Sequence, residues 1–226
     1  MKKYLVLFII STVFLASGCS NASDSATNSE NVAQEQKAPK QFSPEDQKII
    51  DKYNAYFGAN RAVDDHLFQK QMKEILPEIG KISDKHEREK LQMNIYLSLE
   101  KYEDAYALNE SQLAENPNSI TRLIFKCHLL SQLGKGKDQV SQCHNTAAKQ
   151  IKIELDKTDK SSPDYAQAEF TYYAQMYKAG HVEYKYKAQN LISSTKDIKL
   201  KTWFASVYNA EIEDLYEPGS AGIPIK

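Results

Sequence analysis

The sequence predicts an all-α protein built from paired antiparallel helices, on three observations. Only eight Gly and seven Pro occur in 226 residues, against abundant Lys, Glu, Gln, Ala and Leu, a balance that favours helix over sheet. Runs of alternating β-branched residues, which would mark strands, are absent. Apolar residues recur instead at the i, i+3, i+4, i+7 spacing of a buried helix face, between start signals and Gly or Pro breaks.

Met1-Lys2-Lys3 is a short basic start, and Tyr4 to Leu15 is an apolar run of secretory-signal length. A spanning helix needs roughly 20 apolar residues, so this run is too short for a permanent anchor. Leu15-Ala16-Ser17-Gly18-Cys19 follows and resembles the lipobox of bacterial lipoproteins. In that family the signal is cut before the cysteine, which then carries lipid on its thiol and its new amine. Leucine usually stands three before the cysteine. Here Ala16 holds that place and Leu15 sits one earlier, while Ser17, Gly18 and Cys19 fit. An ordinary signal peptide cut elsewhere is the alternative. The resemblance implies a signal peptide over 1–18, lipidation at Cys19 and, because Ser20 is not acidic, sorting to the outer membrane with the folded part facing the periplasm. Residues 19–41, rich in Ser, Asn, Ala and Gln without apolar periodicity, read as a disordered tether. Such a segment spans roughly 25 Å end to end.

The helical domain is expected over 42–217. Ser43-Pro44-Glu45-Asp46 combines a hydroxyl cap, a first-turn proline and acids at the positive end of the helix dipole. Ile49, Ile50, Tyr53 and Phe57 line one face, and Gly58 marks the stop. A second helix begins near Asp65, with Asp64 and Asp65 read as its N-terminal cap. Phe68, Met72, Ile75, Leu76 and Ile79 stripe it, and Pro77 predicts a kink or a break there. Ser83-Asp84 opens the next helix.

Glu89 to Lys149 reads as two helical hairpins joined by the turn Asn116-Pro117-Asn118-Ser119. A break at Glu100-Lys101 precedes Tyr102-Glu103-Asp104-Ala105, and Leu108 and Leu113 carry the stripe onward. Ile120, Leu123, Ile124, Cys127 and Leu130 form the next face. Gly134 and Gly136 end it, and Val140, Cys143, Ala147 and Ile151 return. The stretch resembles the tetratricopeptide repeat, whose period is about 34 residues. With Pro117 near the end of a repeat, Tyr96 and Ala105 fall on its aromatic and small positions, with Tyr102 three before Ala105. Cys127, Gly134 and Cys143 take the small helix-A, turn-glycine and packed helix-B positions of the next unit. Gln92, Met93, Asn109, Gln112 and Gln139 depart from the pattern. The resemblance implies an array of about four to five antiparallel hairpins; an ordinary all-α domain of paired helices is the alternative.

Lys149 to Lys160 reads as strongly amphipathic and charged, the solvated end of a long helix. Ser162-Pro163-Asp164 restarts the chain, and Gly180 marks the turn of a third hairpin. Leu200, Trp203, Phe204 and Val207 stripe a final helix that should cover the open core face of the array. Glu217-Pro218-Gly219 ends it, leaving 218–226 as a flexible tail.

With Cys19 consumed by lipid, Cys127 and Cys143 remain as a pair, and in an oxidising compartment a disulfide is the simplest outcome. The repeated dipeptides Cys127-His128 and Cys143-His144 suggest a metal site as the competitor. Neighbouring helix residues point about 100° apart, so the two of one dipeptide do not readily share a metal. No metal or cofactor is therefore expected.

Charged residues are 26% of the chain and nearly balanced, 29 basic against 30 acidic. Nothing in that distribution forms the basic footprint of a nucleic-acid binder. Loss of 1–18 removes Lys2 and Lys3, leaving a net charge of −3. Neither a Gly-x-Ser-x-Gly elbow, a His-Glu-x-x-His helix nor a phosphate-binding Gly-Lys-Ser/Thr loop is present. The histidines at 66, 86, 128, 144 and 181 lie beside charged or polar neighbours, as solvated surface histidines do. No enzyme activity is expected.

Six of the fourteen tyrosines fall in 165–186. Tyrosine offers large contact area with a polar handle, which suits binding surfaces. Tyr173 and Tyr177, at i, i+4, read as core, leaving Tyr172, Tyr184 and Tyr186 as candidate partner-binding residues. The expected function is a non-catalytic scaffold or adaptor that holds another envelope or periplasmic protein, anchored to the membrane through lipid on Cys19. The alternative is a periplasmic immunity protein that neutralises a delivered toxin.

Overall fold

The computed structural model describes residues 40–60 and 64–212. The signal region, Cys19, most of the tether and everything after 212 lie outside them. Nine helices and no strand occur among the described residues, which are all-α: α1 (Pro44–Asn60), α2 (Asp65–Ile79), α3 (Lys85–Ser98), α4 (Tyr102–Glu115), α5 (Ile120–Gln132), α6 (Lys137–Leu155), α7 (Pro163–Lys178), α8 (Glu183–Ser194) and α9 (Ile198–Glu211).

Each start has a local cause. The Ser43 hydroxyl accepts from the Asp46 amide at 3.0 Å. Asp64, Asp84 and Asp197 cap α2, α3 and α9 with their carboxylates, and Ser162 caps α7. Each cap satisfies an amide that lacks a partner within its helix. The ends of α3, α5 and α7 share one device. The residue after the C-cap turns left-handed, at Glu100 (φ 54), Gly134 (φ 65) and Gly180 (φ 98). Its amide returns to Leu97, Ser131 or Tyr177, and the next amide reaches back to Tyr96, Leu130 or Met176. This double hydrogen bond is the Schellman motif, and glycine normally fills the left-handed position. Glu100 does so with a side chain.

Packing follows the chain order. Each helix lies against the next, and the one extensive contact between non-neighbours among the described residues joins α7 to α9. α1, α2 and α3 enclose Ile50, Tyr53, Met72, Ile75, Ile79, Ile82 and Ile95. Met93, Ala105 and Leu129 link α3, α4 and α5. Phe170, Ala174, Ala188, Phe204 and Tyr208 join α7, α8 and α9, with the Phe170 and Phe204 rings stacked 4.7 Å apart. Asp46 ties the first cluster together from outside: its buried carboxylate accepts from the Ser83 amide at 3.0 Å and from the Ser83 hydroxyl. Those bonds hold its pKa below the usual value.

Two local expectations are corrected. α1 passes Gly58 and runs to Asn60, because Gly58 is not in a left-handed conformation. α2 continues through Pro77 to Ile79. A proline this close to a helix end removes one hydrogen bond, and the Gly80 amide still closes on Leu76 at 3.2 Å. The charged end of α6 is amphipathic as expected, with Ile151 and Leu155 buried on its inner side.

Candidate functional site

Cys127 lies in the middle of α5 and Cys143 in the returning α6, and their sulfurs are at bonding distance, 2.09 Å, with Cα atoms 5.4 Å apart. The break at Gly134–Gly136 makes this approach possible, because it returns α6 antiparallel to α5 and brings residues 16 apart to the same level. Cys127 is fully buried. The pair clamps the hairpin from inside.

Beside that clamp the two histidines behave differently from solvated residues. His144 is buried, and its Nδ1 lies 2.7 Å from Oε1 of Gln175, itself buried on α7. Burial is the main reason its pKa falls to about 4. The Gln175 hydrogen bond and Glu211 oppose the fall, while Lys178 and His128 add to it. His128 is half-buried, and its pKa is lowered first by burial and then by Lys178. Lys178 pairs with Glu211, with side-chain exposures of only 19% and 12%. The Ser141 hydroxyl also donates to the Ala179 carbonyl at 2.8 Å. The seam between α6 and α7 and the end of α9 is therefore a polar network in a dry setting. No group of three or more His, Cys, Asp or Glu among the described residues is placed to hold a metal ion. This network escaped the sequence reading, because Gln175, Lys178 and Glu211 fall in no recognisable spacing with the histidines. The one available signal was His144, standing three after Ser141 and three before Ala147 on the inward stripe.

The tyrosines separate into two environments. Tyr173 and Tyr177 pack against the α7–α9 cluster. Tyr173 also donates to Glu169 Oε1 at 2.8 Å, and burial with that bond raises its pKa. Tyr172 and Tyr184 meet edge to face at 5.6 Å with hydroxyls 3.4 Å apart. Burial, then the Tyr184 hydroxyl, pushes the Tyr172 pKa up to about 12. Lys187 Nζ sits 3.9 Å above the Tyr184 ring, an attraction of charge for the ring face. Tyr186 is 69% exposed and Val182 68%. Of the three candidate residues, the structure thus brings Tyr172 and Tyr184 together as half-buried partners and leaves Tyr186 open to solvent. Cys19 is outside the described residues.

This arrangement offers ring faces, hydroxyls and lysines for contact. No protein-family model matches the chain, and neither a curated protein nor a solved structure matches it.

Proposed function

We propose that the chain is a lipid-anchored protein of the bacterial envelope whose helical part holds another protein and carries out no reaction of its own. The anchor follows from the lipobox-like run ending at Cys19. The observation that carries the binding half is the open apolar surface at the start of α8, where Val182 and Tyr186 stand four residues apart and both exposed. Residues at that spacing share a helix face. Tyr184, with Lys187 over its ring and Tyr172 at its edge, lies two residues from each of them in sequence. Aromatic residues are enriched at interfaces, where a few of them carry most of the energy.

A tetratricopeptide-like array accounts for the architecture under this reading. Support comes from the packing of each helix on the next. Further support comes from the left-handed turns at Glu100 and Gly134, which lie 34 positions apart, the period of that repeat. Arrays of this kind present extended binding surfaces.

The test is cross-linked recovery of the tagged chain from its native envelope, beside a Val182→Ser/Tyr186→Ala variant and a Cys19→Ser variant. One resident envelope protein should be recovered in comparable amount and lost from the surface variant, and Cys19→Ser should move the chain out of the membrane fraction. Recovery of a secreted toxin would assign the immunity role instead. Equal recovery by the surface variant would overturn the assignment of this surface.

A further inference from the structure

The last described helix, α9, has two unlike faces. Leu200, Phe204, Val207 and Tyr208 belong to the cluster shared with α7 and α8. Ile198, Lys199, Lys201, Thr202 and Trp203, in its first two turns, are all exposed. Ile198 and Thr202 are four apart, as are Lys199 and Trp203, and Lys201 stands three after Ile198, so the five share the outer side of the helix. Ile198 is 80% exposed and Trp203 40%. The indole is held in place from below, meeting the Phe170 and Phe204 rings at centroid distances of 6.2 and 5.4 Å. Its remaining area lies open beside an open isoleucine, which is surface that water disfavours.

The charge here is one-sided, in a chain that is balanced as a whole at 29 basic against 30 acidic residues. From Tyr184 to Ala210 the one acid is Asp197, against Lys185, Lys187, Lys196, Lys199 and Lys201. The Asp197 carboxylate caps α9, accepting from the Leu200 amide at 2.8 Å. Lys185 and Lys187 lie over the Tyr177 and Tyr184 rings. Lys196, Lys199 and Lys201 are exposed and make no hydrogen bond or ion pair with a described residue. Three such cations flank two exposed apolar side chains.

This combination selects its occupant by chemistry. Interfaces between proteins are depleted of lysine, whereas an anionic headgroup layer attracts every lysine near it. Tryptophan settles at the level of the headgroups, with its ring in the apolar layer and its N–H in the wet one. Lysine stems lie along apolar surface while their ammonium groups stay in water. No described helix is long and apolar enough to cross a membrane, so the contact would be one of surface.

We propose that the outer face of α9 rests on an anionic phospholipid surface, with Ile198 and Trp203 entering the headgroup layer and Lys196, Lys199 and Lys201 on its phosphates. The inference rests on the membrane half of the proposed function, since the anchor at Cys19 would bring the helices near a bilayer. It is separate from the protein-binding half: Val182 and Tyr186 stand at the start of α8, and Lys196 follows its end.

Fluorescence of Trp203, the single tryptophan of the chain, reads the contact directly. The full chain, extracted from its native membrane in detergent, is reconstituted with vesicles of phosphatidylcholine or of an equal mixture of phosphatidylcholine and phosphatidylglycerol. Emission should move to the blue and acrylamide quenching should fall in the anionic vesicles alone. Salt at about 1 M, which cuts the screening length to about 3 Å, should reverse both. Lys196→Gln with Lys199→Gln and Lys201→Gln should lose the response, since about fivefold per lysine amounts to about a hundredfold for three. Ile198→Ser should weaken it, and all four changes are at exposed positions that leave the core intact. Flotation with neutral vesicles reports the anchor separately. Chain that floats without a Trp203 response keeps the anchor and overturns the α9 face. Chain that does not float refutes the anchor, and the response to added anionic vesicles still decides the face. An equal response to neutral vesicles, or an unchanged response in the lysine variant, would overturn the proposal. So would a shift that follows protein concentration without lipid, which would assign the face to a second copy of the chain.

Discussion

The His144 Nδ1–H donates to the Gln175 carbonyl oxygen across 2.7 Å, between two helices whose residues are 31 apart in sequence. Neither side chain has water to fall back on, since both are buried. That dryness makes the imidazole resist protonation until about pH 4. His128, Lys178 and Glu211 face the same seam.

Stability should therefore depend on pH through this residue. The unfolded chain takes up a proton near the ordinary histidine pKa of about 6.5, while the folded chain refuses it until about pH 4. A depressed folded pKa means that stability is highest above 6.5, falls between 6.5 and 4, and levels off below. The loss from this group approaches about 3 kcal/mol. Urea unfolding at pH 7 and pH 4.5 should show the fall, and His144→Gln should flatten it. His128 acts in the same direction.

The Lys178–Glu211 pair ties the end of α7 to the end of α9. With both side chains mostly withdrawn from water, removing one partner strands the other's charge. Glu211→Gln should cost about 3 kcal/mol, and Lys178→Met with Glu211→Leu should recover most of it. A double-mutant cycle by chemical denaturation measures the coupling.

Cys127 and Cys143 should both resist alkylation in protein that has not been reduced. Closing a loop across 16 positions stabilises by about 3 kcal/mol in the chain-entropy view. Cys127→Ser with Cys143→Ser should lower the denaturation midpoint accordingly. Labelling of both thiols without reductant would show that the bond is not formed.

Glu100 holds a left-handed backbone at a position where the equivalent turns use Gly134 and Gly180. A side chain there is opposed by sterics worth about 1–2 kcal/mol, partly offset by the greater freedom glycine has when unfolded. Glu100→Gly should stabilise the protein by about 0.5–1 kcal/mol, read as a rise in melting temperature.

The tyrosines should separate in a melting experiment. Tyr172→Ala removes one ring from a contact with Tyr173 and Tyr184 and should lower stability by about 1–2 kcal/mol. Tyr186→Ala, at an exposed position, should stay within about 0.5 kcal/mol of the parent and act only on partner recovery.

Helix starts, helix breaks and the inward stripes were legible because each depends on residues within about one turn of one another. Ser43, Asp64, Asp84 and Ser162 announced their helices, and Gly134 and Gly180 announced their turns. The cysteine pair was legible for a related reason: two stripes joined by one tight break must face each other.

What depended on distant partners was hidden. His144 reads as a surface histidine until α7 brings Gln175 to it. Tyr172 is a candidate groove residue in the sequence, and only the fold sets it half-buried, edge to face with Tyr184. The amino-acid sequence by itself determined the all-α class, the order of the helices and the facing cysteines, because propensity, capping and periodicity are local. Only the tertiary structure decided which polar groups went into the dry seam and which stayed in water, because the free energy of a buried polar group is set by the partner another helix supplies.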